Sequence, residues 1–66
     1  MRYNQWALKG LMAERGLDAT KVAALTGLAR PTISYIARGV TIPKADTLGK
    51  LARALGVSVV DFYKAA

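Results

Sequence analysis

Short apolar-periodic segments separated by glycines run the length of the chain. Leu8, Leu11 and Met12 stand at i, i+3 and i+4, the spacing of one helical face. Asn4 can cap the free amides ahead of them and Gly16 can close the far end, which predicts a first helix over Asn4 to Arg15. Gly10 weakens its middle by roughly 0.5–1 kcal/mol relative to Ala. A second helix is expected over Ala19 to Thr26, capped by Asp18, stopped by Gly27, and turning Val22, Ala23 and Leu25 inward. A third spans Arg30 to Arg38. Pro31 lies in its first turn, where a missing N–H is harmless, and Ile33, Ile36 and Ala37 form its buried edge. Pro43 pushes Ile42 out of the helical region, so Val40 to Pro43 reads as a loop. The fourth helix, Ala45 to Leu55, carries Leu48, Leu51, Ala52 and Leu55 on one face and ends at Gly56. Ser58-Val59-Val60-Asp61 has the form of a capping box and opens a fifth helix through Phe62 and Tyr63. No apolar–polar alternation persists for six positions, so the expectation is all-α.

Composition narrows what such a domain can do. The 66 residues suit one domain over 1–66, without repeat or linker, and a chain this short buries only ~60% of its extended surface. Absence of Cys removes disulfides, thiolate zinc sites and thiol nucleophiles. Absence of His removes the commonest general base at neutral pH. The four carboxylates, Glu14, Asp18, Asp46 and Asp61, are scattered. No enzyme activity, metal or cofactor is therefore expected. Nor does the length leave room for a separate ligand-sensing domain, so no small-molecule ligand is expected. No apolar run approaches the ~20 residues of a membrane span, and the first residues lack a signal-peptide core. A cytoplasmic location without a membrane partner follows as the expectation.

Charge points to a polyanion. The net charge is +6, from 10 basic and 4 acidic residues. Between Ala19 and Ala45 the chain holds Lys21, Arg30, Arg38 and Lys44 and no acid, whereas surface charge normally mixes both signs. The same stretch contains two helices joined by Gly27-Leu28-Ala29. So tight a turn sets the helices at a steep angle and lets the second protrude. A protruding helix fits the ~12 Å major groove of B-DNA. Helical phase turns Arg30, Pro31, Ser34, Tyr35 and Arg38 outward and Ile33 and Ile36 inward.

The string Asp18-Ala19-Thr20-Lys21-Val22-Ala23-Ala24-Leu25-Thr26-Gly27, then Thr32-Ile33-Ser34-Tyr35-Ile36, Arg38-Gly39, Pro43, Thr47-Leu48, Leu51-Ala52 and Ala54-Leu55-Gly56-Val57-Ser58 resembles the phage Cro/repressor-type (xenobiotic-response-element-like) helix-turn-helix family. The likeness covers about residues 4 to 63. It implies a compact five-helix, lambda-repressor-like DNA-binding domain that acts as a dimer on a pseudo-palindromic operator. In that family the first residues of the third helix read base edges, here Arg30 and Pro31, as does a residue further along, here Tyr35. Thr32 matches a phosphate-contacting position, and Arg38 and Lys44 fall where the family's loop meets the backbone. Three positions depart from the family pattern. Ala19 replaces a Gln that buttresses the reading helix, and Ala29 replaces a Ser or Thr cap. Met12 and Ala37 stand where the family pairs an Arg with a Glu, so packing replaces an ion pair.

The candidate base-contacting residues are thus Arg30, Pro31, Ser34 and Tyr35. Arg30 can be bidentate to guanine; Pro31 also has a purely structural reading, and Ser34 a solvated one. The candidate phosphate contacts are Lys21, Thr32, Arg38 and Lys44, although Thr32 can instead cap its own helix. Lys9, Arg15, Lys50, Arg53 and Lys64 read as solvent-facing charges, and Trp6 as an edge of the core. Val59, Phe62 and Tyr63 are candidate dimer contacts, because the last helix has more apolar residues than one buried face needs. The leading expectation is a repressor- or Cro-like regulator binding duplex DNA as a homodimer. An antitoxin-like or other protein-interaction module is the alternative. A binder of RNA or single strands is a third reading; it would want more exposed aromatics than Tyr35 alone on the basic side.

Overall fold

A computed structural model describes residues 2–63; Lys64 lies outside them. Four α-helices occupy Gln5–Glu14 (α1), Ala19–Thr26 (α2), Arg30–Ala37 (α3) and Ala45–Leu55 (α4), and no strand occurs among the described residues. The local chemistry accounts for the boundaries. Asn4 accepts a hydrogen bond from the Trp6 amide (2.9 Å) and Asp18 from the Lys21 amide (2.9 Å), so both act as N-caps. Gly27 ends α2 with φ +77°, a left-handed turn that carries the chain sharply into α3. Ala29 gives α3 no side-chain cap.

The expected fifth helix is instead a single 3-10 turn, Val59–Phe62. Its capping box is present: the Asp61 carboxylate accepts from the Ser58 amide (3.1 Å), and Ser58 Oγ from the Val60 amide (3.3 Å). The Asp61 and Tyr63 amides donate three residues back, to Ser58 and Val60. That i to i+3 pattern is the tighter winding of a 3-10 turn.

The core is built from Leu8, Met12, Val22, Ile33, Ile36, Leu48, Leu51, Ala52, Leu55 and Phe62. All four α4 positions predicted from spacing are buried. α2 packs on α3 and α4, α1 on α3, and the 3-10 turn closes the bottom against α1 and α4. Met12 is buried and Ala37 packs against the core. The Asn4 amide donates to the Phe62 carbonyl (2.7 Å), which fastens the N-terminal segment to the closing turn.

Three apolar residues sit elsewhere than expected. Trp6 is 59% exposed: it lies on the opposite side of α1 from Leu8, and Lys9 Nζ stands 4.6 Å from its ring centroid. Leu25, expected inward, is 58% exposed in an open cleft that it lines with Lys50 and Arg53 of α4. Phe62, expected at a dimer contact, has no exposed surface and is a core residue of the single chain, so it leaves that set.

Candidate nucleic-acid interface

The site is built around α3. Ile33 and Ile36 are fully buried and fix the rotation of the helix about its axis. Arg30, Pro31, Tyr35 and Arg38 are exposed away from them, Thr32 is exposed on the flank next to Ile36, and Ser34 is half-buried. The start of α3 is set by the preceding turn: Thr26 Oγ1 donates to the Val22 carbonyl (2.8 Å) and accepts from the Leu28 amide (3.2 Å). The far end is held from beneath. The Tyr3 hydroxyl donates to the Ile36 carbonyl (2.9 Å), and burial pushes its pKa up from 10.0 to about 12. The Gln5 side chain fills the space beside Gly39, where φ is +76°.

Two groupings of the predicted residues emerge. Arg38 lies just past the end of α3, with its guanidinium carbon 5.4 Å from the centroid of the Tyr35 ring. Tyr35 remains 46% exposed. Thr32 and Lys44 line one open cleft between α3 and the start of α4, and Lys50 lines it too. The sequence places Lys50 among ordinary solvent-facing charges; six residues from Lys44, its spacing gives no sign that both reach one cleft. Lys21 extends elsewhere, its ammonium reaching the Gly16 carbonyl (3.5 Å) at the turn between α1 and α2. Val59 and Tyr63 pack partly against the core, and the exposed apolar surface of the closing turn belongs to Val60, 51% exposed. No group of three or more His, Cys, Asp or Glu able to hold a metal is present among the described residues. No helix among them is long and apolar enough to cross a membrane.

A family model described as helix-turn-helix (HTH_3) matches residues 8–62. The chain belongs to this family. The helix-turn-helix domain is similar to an HTH_3 family transcriptional regulator from Vibrio cholerae: 36% identical, TM-score 0.83, over 89% of this chain and 33% of that one. It therefore spans about a third of the length of that regulator. It is also similar to SinR, the master regulator for biofilm formation, whose structure was solved in complex with DNA. There the identity is 28% and the TM-score 0.84, over 91% of this chain and 97% of SinR. No curated protein sequence matches. In this helix-turn-helix domain α2, the Gly27 turn and α3 form the motif.

Proposed function

We propose that the chain is a transcriptional regulator that binds duplex DNA sequence-specifically as a homodimer, with α3 in the major groove, and acts as a Cro-like repressor. The observation that carries this reading is the two-sided character of α3. Buried Ile33 and Ile36 anchor it, and exposed Arg30, Pro31, Thr32, Tyr35 and Arg38 face outward in a stretch free of acidic residues. A helix presenting cations and hydrogen-bonding groups, and no acid, on its free side suits the phosphate-walled major groove. That SinR was solved with DNA supports the same reading.

The roles divide by chemistry. Arg30, at the first position of α3, is the residue for a guanine, and Tyr35, Ser34 and the Pro31 ring complete the reading surface. Arg38, Lys44 and Thr32 hold phosphates and set register, and Lys21, exposed on α2, reaches a phosphate by leaving the Gly16 carbonyl. Val59 and Tyr63, together with Val60, are the dimer surface. Two copies on a duplex place their reading helices about one helical turn apart, ~34 Å.

Selection of bound sequences from a randomised duplex library at physiological salt tests the proposal. A palindromic consensus is expected. Arg30→Ala should relax one position in each half-site, by about 1–3 kcal/mol against the preferred base. Lys44→Ala should weaken all sequences alike and lower the salt slope by about one unit per protomer. A protein that remains monomeric and enriches no sequence would overturn the proposal and favour a protein-interaction module.

A further inference from the structure

Arg38 and Tyr35 are not independent outward residues. They stand three apart across the last turn of α3, and the guanidinium approaches the phenol ring at 5.4 Å from its centroid. The backbone beneath them is fixed. The Tyr35 carbonyl accepts from the Val40 amide (3.0 Å), Tyr3 holds the Ile36 carbonyl, and Gln5 fills the space at Gly39. The backbone at this end of the helix is thus tied at several points, while the Tyr35 and Arg38 side chains are exposed. An exposed phenol with no partner would sample several orientations, and ordering it on a base would cost entropy. A planar cation across the ring restricts that sampling.

The guanidinium has two separable surfaces. Its face stacks on an aromatic ring, while its N–H edge stays open to a phosphate oxygen. We infer that Arg38 is a positioning residue that couples phosphate anchoring to base choice: its edge takes a backbone phosphate while its face sets the Tyr35 ring against the base that the ring reads. This rests on the duplex-binding reading given above, and it assigns Arg38 a part in specificity that a simple phosphate contact lacks.

Two substitutions separate the functions. Arg38→Lys keeps the charge and discards the flat face. Arg38→Gln keeps a planar group and discards the charge. Arg38 is exposed, so both variants are expected to retain the wild-type thermal midpoint. Base preference is measured by library selection, and salt slope by titration of the selected duplex, for the wild type, both variants and Tyr35→Ala. Arg38→Lys should leave the salt slope unchanged and reduce discrimination measurably at the position that Tyr35→Ala also relaxes, because an ammonium keeps the charge but has no flat face to lie along the ring. Discrimination at the Arg30 position should stay at the wild-type level. Arg38→Gln should lower the salt slope by about one unit per protomer and keep most of the discrimination.

Full discrimination in Arg38→Lys would overturn the inference, as would an equal loss at every position. If Tyr35→Ala relaxed no position while the wild type still selected a consensus, the coupling would fail and duplex binding would stand. A wild type that selects nothing would remove both.

Discussion

Gly39→Ala is the substitution whose effect the structure specifies most closely. Gly39 has φ +76°, where a Cβ crowds the following carbonyl and costs about 1–2 kcal/mol. An added methyl would also overlap the side-chain amide of Gln5. Those are the far atoms of a flexible side chain, so relief takes a rotamer change and not a backbone shift, at about 0.5–1.5 kcal/mol. The expected total is about 1.5–3.5 kcal/mol, a large part of the ~3–10 kcal/mol typical of a domain this size. Gly56→Ala is the internal control: its φ is +72° and nothing lies within 4 Å of the added methyl, so only the backbone cost applies. Denaturant unfolding of both variants, and of Gly39→Ala combined with Gln5→Ala, separates the two components. Gly39→Ala should melt about 2–12 °C below Gly56→Ala, and removing the Gln5 side chain should return most of the difference. Equal losses in the two glycine variants, or no recovery in the double variant, would show that the contact between the start of α1 and the end of α3 contributes nothing.

Tyr3→Phe should cost about 0.5–1 kcal/mol in chemical denaturation, at the low end because the Ile36 carbonyl also accepts from the Gly39 amide (3.1 Å). Since the folded Tyr3 titrates near 12 against an ordinary 10.0, its neutral form is the one folding favours. The corresponding stability is intact below pH 10 and declines as pH rises toward 12; unfolding followed across that window should lose this component in Tyr3→Phe. Ala29→Ser supplies the cap that α3 lacks and should raise stability by about 0.5–1 kcal/mol, read from the unfolding midpoint.

Helix positions were legible because caps, stops and apolar spacing agree. Asn4, Asp18 and Ser58 all cap, and Leu48, Leu51, Ala52 and Leu55 all bury. The outward face of α3 was legible for the same reason, since Ile33 and Ile36 leave Tyr35 the opposite side. What escaped depends on where elements end in space. Leu25 stands three residues after the buried Val22, yet it lies in an open cleft beside α4 and is exposed. Phe62 read as surplus because nothing local tells that the closing turn covers the base of α1 and α4. The seating of Gln5 at Gly39 joins residues distant in sequence and leaves no periodic trace. The Arg38–Tyr35 approach had an i, i+3 signature, but that spacing is equally compatible with two separate solvated side chains.

No polar or charged side chain lies in the interior among the described residues. Screening ions therefore act on the outward cations and find no ionic lock within to loosen. Raising salt can strip a polyanion from the surface while the scaffold keeps its shape, so retention and folding answer to different controls.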